Sequence, residues 1–100
     1  MGGSMAIVLM NVERARVDEV AQRLLALDGV TEAFSVAGQY DLVALLRTST
    51  NEQIADLITT RIRDIPYITR TETLMAFKAF PKSDLGAMFS IGNEEVNDPN

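Results

Sequence analysis

Two five-residue stretches, Ala6–Met10 and Leu42–Leu46, contain no polar side chain at all. Runs this short and this apolar read as strands covered on both faces rather than as helices. Alternate residues of a strand point to opposite sides. Ile7 and Leu9 therefore oppose Ala6, Val8 and Met10, and Val43 and Leu45 oppose Leu42, Ala44 and Leu46. Any fold for this chain has to cover two apolar faces of one sheet.

Each apolar strand is followed, directly or after a turn, by a helical pattern. Between Val12 and Leu27, Val17, Val20, Ala21 and Leu24 share one helical face, and Arg16, Glu19, Gln22 and Arg23 share the other. Glu19 precedes Arg23 by four residues, the favourable order for a helical ion pair. Asp28-Gly29 supplies a glycine stop. Thr50-Asn51-Glu52-Gln53 has the form of a capping box. The helix it opens is expected to bury Ile54, Leu57, Ile58, Ile62 and Ile65, and Pro66 ends it. Val30 to Ala37 reads as an outer strand, Gly38-Gln39-Tyr40-Asp41 as a tight connection, and Tyr67 to Phe80 as a long last strand. In that strand Thr69, Thr71 and Thr73 alternate with Arg70, Glu72 and Leu74.

The order strand, helix, strand, strand, helix, strand predicts an α+β fold of the ferredoxin-like βαββαβ type, a four-stranded antiparallel sheet with both helices on one face. The first and third strands are central in that topology. The second and fourth, which carry the charges, are edges. Two helices on one face leave the other uncovered, a larger apolar patch than soluble monomers usually expose. The expected cover is a second copy, sheet against sheet at ~10 Å; a fold-back of residues from Pro81 onward is the alternative. The domain is expected over residues 5–80. Residues 1–4 read as a cloning remnant and residues 81–100 as a tail, with an apolar cluster of Leu85, Met88, Phe89 and Ile91 ahead of a polar end.

Several functions are disfavoured. A net charge of −5, with basic residues scattered beside acids as in Glu13-Arg14 and Arg63-Asp64, does not suit a phosphate backbone. The chain has no His, Cys or Trp, so the usual general base, thiolate and soft metal ligands are missing. No glycine-rich phosphate loop opens a helix. No enzyme, cofactor or metal is expected, although Tyr40, Asp41 and Lys78 retain acid–base capacity. Without a signal peptide, a long apolar run or cysteines, the expected location is the cytoplasm, away from membranes.

One constellation suits a small zwitterion. The Gly38–Asp41 loop offers backbone N–H groups for a carboxylate. The Asp41 carboxylate suits an ammonium group. Thr69, Thr71 and Thr73 add hydroxyls. The same residues also serve plainer purposes: Gly38 makes a hairpin turn, Asp41 caps it, and threonines favour strands.

Taken together, Val36-Ala37-Gly38-Gln39-Tyr40-Asp41-Leu42 and, after Ile65-Pro66, Thr69-Arg70-Thr71-Glu72-Thr73-Leu74 resemble the regulatory (RAM) domain of the Lrp/AsnC transcription regulators. The likeness covers about Met5 to Phe80. It implies dimers formed through the sheets, rings of dimers, and amino acids bound between dimers near Gly38, Gln39, Tyr40 and Asp41 and near Thr69, Thr71 and Thr73. It also implies a full-length regulator as a mixed-assembly partner. Two departures stand out. The helix-turn-helix domain that usually precedes the first strand is not in this sequence, so direct promoter binding is not carried over. Gln39 occupies a position that is often acidic, which weakens the case for a basic ligand side chain. The competing readings are an assembly module without ligand and a small dimeric α+β-barrel enzyme. An ACT-type sensor fits less well, because Asn11-Val12-Glu13 lacks a glycine for close approach.

Overall fold

The computed structural model of the protein describes residues 3–82. Its elements run β1 (Ser4–Val12), α1 (Val17–Leu25), β2 (Val30–Ser35), β3 (Leu42–Thr48), α2 (Asn51–Asp56) continued by a π-helical stretch (Leu57–Ile62), and β4 (Ile68–Met75). The sheet order is β2-β3-β1-β4, and every neighbouring pair is antiparallel. This is the expected ferredoxin-like arrangement, with the two apolar strands at the centre. The tail cluster from Leu85 to Ile91 lies outside the described residues.

Strand alternation translates directly into burial. Ala6, Val8, Met10, Val12, Leu42, Ala44 and Leu46 face the helices and are buried. Val20 and Leu24 of α1, and Ile54, Leu57, Ile62 and Ile65 around the second helix, close over them. Full burial of one such side chain stabilises by roughly 1.5–3 kcal/mol. The opposite face carries Ile7, Leu9, Val43 and Leu45, each only half-buried. Phe34 stands across from Val43 and Leu74 across from Ile7 on that face, 46% and 47% exposed.

The local signals act as anticipated. Glu19 bridges Arg16 and Arg23 at 3.1 and 3.2 Å. The Thr50 hydroxyl accepts from Gln53 N–H at 3.1 Å while Gln53 Oε1 accepts from Thr50 N–H at 3.2 Å. Gly29 adopts φ +98°, a conformation that favours glycine, and a Cβ there would lie 2.9 Å from Leu57 Cδ2, so that buried methyl would also have to shift.

Three differences have physical causes. First, β1 begins at Ser4 rather than at Ala6, because β3 continues to Thr48 and supplies its partner. Second, β4 stops at Met75 rather than Phe80. Ala76 N–H still donates to Met5 O at 2.9 Å, and only Ser4 of β1 remains beyond that bond. Third, the second helix widens. Thr59 and Thr60 hydroxyls donate to the carbonyls of Ala55 and Asp56, at 2.8 and 2.6 Å, and compete with the α-helical ladder. Arg63 N–H instead reaches Ile58 O, five residues back, at 3.2 Å. Leu57 and Ile62 would point about 140° apart in an α-helix at 3.6 residues per turn; in the wider turn both are buried.

Candidate functional site

Asn11 is the hub of the upper end of the sheet, where β1 ends, β3 begins and β4 begins. Its Nδ2 donates to Gln39 O at 2.9 Å and lies 3.4 Å from Asp41 Oδ2. Its carbonyl accepts from the Thr69 hydroxyl at 3.2 Å. The adjacent Val12 N–H donates to Asp41 Oδ2 at 2.9 Å. A register shift between Asn11 and Val12 in the β1–β4 ladder frees these groups from regular pairing. Glu13 N–H donates to Tyr67 O at 2.9 Å, and the Arg16 guanidinium stacks 4.4 Å from the Tyr67 ring centre, which fixes the entry into β4 beside this hub.

The Gly38–Asp41 loop is tied down at its C-terminal end. Asp41 N–H donates to Met10 O at 2.9 Å, and Asp41 O accepts from Val36 N–H at 3.1 Å. Gly38 has φ +129°, and a Cβ there would meet nothing within 4 Å, so glycine is needed for its backbone conformation and not for space. Among the described residues, the N–H groups of Gly38, Gln39 and Tyr40 have no acceptor in the protein. The loop thus presents donors next to a carboxylate whose Oδ2 is already engaged and whose Oδ1 has no donor among the described residues.

Tyr40 reaches the open face of the sheet. Its hydroxyl donates to Glu72, and Arg70 lies 5.9 Å from its ring centre. Accepting that hydrogen bond, the Glu72 carboxylate holds the Tyr40 phenol above its ordinary range, burial and the Glu72 charge add to the effect, and Arg70 opposes it.

The threonines lie elsewhere. Thr71 pairs with Met10 and Thr73 with Val8, so both sit on the helix side of the sheet. Thr69 and Thr71, with Ile58, Thr59, Ile62 and Arg63 of the widened helix, line a cleft of about 420 Å³. Of the threonines, only Thr69 is connected to the loop in one protomer, through Asn11. Asn11, Arg70 and Glu72 were not among the expected site residues. Asn11 alone carried a visible signal, a polar side chain closing an otherwise apolar strand.

Residues 5–85 match the model of the Lrp/AsnC ligand-binding domain. The chain belongs to this family. Among its curated Lrp/AsnC relatives, the helix-turn-helix-type transcriptional regulator FL11 of Pyrococcus abyssi is 30% identical over 79 residues, 78% of this chain and 52% of FL11. The chain spans between 39% and 52% of the length of these curated regulators. Among solved structures, TTHA0845 from Thermus thermophilus superposes with a TM-score of 0.73 at 40% identity, covering 78% of this chain and 98% of that one. The feast or famine regulatory protein Rv3291c from M. tuberculosis, solved complexed with L-methionine, superposes with a TM-score of 0.66 at 26% identity, covering 78% of this chain and 52% of that one. The Lrp/AsnC family is one of transcription regulators. Among the described residues of this member, no helix is long and apolar enough to cross a membrane.

Proposed function

We propose that this protein is an amino-acid-sensing and assembly domain that works without chemistry of its own. The observation that carries the reading is the Gly38–Asp41 loop, where donors without acceptors lie beside a carboxylate in a frame held by Asn11 and Val12. A small amino acid has opposite charges a few ångströms apart. Its carboxylate suits the N–H groups of Gly38, Gln39 and Tyr40, and its ammonium suits Asp41 Oδ1. The relative complexed with L-methionine supports an amino acid as the ligand class.

Thr71 and Thr73 of the same copy face away from this loop. In the proposal, the threonines that complete the site come from a neighbouring copy, and binding is linked to assembly. The assembly unit is a dimer formed through the open sheet faces, with rings of dimers built from it. The support is the row Ile7, Leu9, Val43, Leu45, Phe34 and Leu74, which the protomer leaves incompletely covered. A full-length Lrp/AsnC-type regulator is the proposed partner for mixed assembly in the cytoplasm.

A second reading rests on the Asp41 geometry itself. Oδ2 caps Val12 N–H at 2.9 Å, which suffices to explain the residue in an assembly module without ligand. The discriminating experiment is a thermal-shift screen of the twenty amino acids with mass measured in solution, followed by calorimetry on wild type and Asp41→Asn. The amide retains an acceptor for Val12 N–H and loses the charge. Binding weakened at least tenfold, about 1.4 kcal/mol, is expected with assembly intact. Equal affinities would remove Asp41 from the site, and no heat with any amino acid would favour the assembly module.

A further inference from the structure

Beyond Met75 the chain leaves the sheet. Ala76 makes the last ladder hydrogen bond, and residues 77–82 make none to the rest of the protein among the described residues. Phe77 is fully exposed and Phe80 is 65% exposed. Lys78 Nζ sits 5.2 Å from the Phe80 ring centre, a contact internal to the segment. The longest extent of the molecule is 51 Å, against 30 and 19 Å in the other directions. Two phenylalanines held out from a small domain are costly to hydrate. Each has roughly 150–250 Å² to bury.

Charge adds a direction. Lys78 and Lys82 are the only lysines of the sequence, whereas residues 1–76 carry seven arginines and ten acidic residues, a net charge of −3. A cationic, aromatic segment complements an acidic body. The open sheet face combines apolar residues with the carboxylates Glu32, across from Leu45, and Glu72, across from Leu9, while its guanidiniums, Arg47 and Arg70, stand across from Met5 and Asn11.

We propose that residues 77–82 are an exchanged arm, with Phe77 and Phe80 of one copy docking on the open-face rim of a second copy and Lys78 and Lys82 meeting its carboxylates. The proposal rests on the face-to-face pairing put forward above. It specifies what closes the rim of that pair. Two arms would contribute on the order of 600–1,000 Å² of aromatic surface, a large share of the 1,200–2,000 Å² or so that stable interfaces bury. The arm acts as a clasp, so dimer strength depends on residues outside the domain's own core.

The chain has no tryptophan, so Phe77→Trp is a single reporter. Sedimentation gives the mass in the same samples. In the dimer the indole is expected to emit to the blue and to be several-fold less quenched by iodide than free tryptophan. A mixture of ¹⁴N and ¹⁵N wild-type protein, refolded together and treated with a zero-length carbodiimide cross-linker, should yield mixed-isotope peptides joining Lys78 or Lys82 to an acidic residue within 3–76. Phe77→Ala/Phe80→Ala should raise the dimer dissociation constant at least tenfold. A dimer with a solvent-exposed indole overturns the arm and leaves the sheet pairing standing. A protected indole with only single-isotope cross-links places the arm on its own body and also overturns it. A monomer at every concentration removes the sheet pairing and the arm together, and sedimentation alone identifies that case.

Discussion

The two faces of the sheet are built from the same alternating strands and are nearly equal in apolar content, yet they meet different fates. On the helix side Ala6, Val8, Met10, Ala44 and Leu46 are sealed within the protomer. On the other side Ile7, Leu9, Val43 and Leu45 stay half-buried, and the edges add Glu32, Arg70, Glu72 and Tyr40. The covered face contributes stability to the single chain. The open face leaves apolar area incompletely covered, the area assigned to association in the proposal above, and carries toward its upper end the polar groups of the candidate site. One strand pattern thus serves folding on one face and, in the proposal, assembly on the other, divided by residue parity.

Lysine placed at adjacent positions of β3 gives the largest contrast. Ala44 is fully buried, so Ala44→Lys puts an unpaired ammonium into the hydrophobic core. That penalty consumes much of a domain stability of about 5–15 kcal/mol, and circular dichroism should report an unfolded or insoluble protein. Val43→Lys, one residue away on the open face, should keep its secondary structure and sediment as a monomer. If the two variants behave alike, the division of labour between the faces is wrong.

A gentler pair asks how much each face contributes. Leu46→Ala should cost roughly 2–5 kcal/mol in urea unfolding at any protein concentration, as expected for a buried leucine. Leu45→Ala should cost less, and its midpoint should depend on protein concentration more steeply than that of wild type, since in the proposed dimer part of its burial comes from the second copy. A concentration-independent loss as large as that of Leu46→Ala would show that the open face is already covered within one chain.

At the upper end of the sheet, Asn11→Ala cuts one of the ties between β1 and the Gly38–Asp41 loop, leaving those through Met10 O and Val12 N–H. Losing hydrogen bonds at a partly exposed site costs about 1 kcal/mol. Amide exchange of Asp41, whose N–H is bonded to Met10 O, should accelerate while exchange in the β1–β3 ladder stays slow, and amino-acid affinity should fall with it. Unchanged exchange in the loop would mean that Val12 N–H and Met10 O hold it without Asn11.

The parts legible in the sequence are those set by short-range pattern. The alternation in Ala6–Met10 and Leu42–Leu46, the Thr50–Gln53 box and the Asp28-Gly29 stop each act within a few residues, and together they specify the topology. The widened helix was not legible as such, because it depends on Thr59 and Thr60 bonding to carbonyls one turn back, an option any helical threonine has. Strand ends were misplaced where the partner strand decides them, as at Met75. The loop from Gly38 to Asp41 could be picked out because a glycine and a carboxylate bracket it, but which face each neighbour takes could not. Thr71 and Thr73 fall on the helix side, while Glu72 between them meets Tyr40, because register across β1 sets the parity of β4.

The smallest expected effect concerns that Tyr40–Glu72 contact, which belongs wholly to the open face. The carboxylate accepts the phenolic proton, so the folded protein holds Tyr40 above its ordinary range, with 10.0 as the reference. A group whose folded pKa is raised contributes its stabilisation fully below the unfolded value and loses it as pH rises through the folded one. Any contribution is therefore complete at neutral pH and disappears only in alkali, above 10.0. The contact is exposed, so its weight in stability is small. Its titration is nevertheless readable, because the chain has only two tyrosines. In wild type, the tyrosinate absorbance should include one phenol that ionises later than a free tyrosine. Glu72→Ala should bring that phenol down toward the ordinary value, and Arg70→Ala should move it further up, since the guanidinium now opposes the shift. A titration unaltered by Glu72→Ala would break the contact, and with it the argument that Tyr40 is anchored on the open face beside β4.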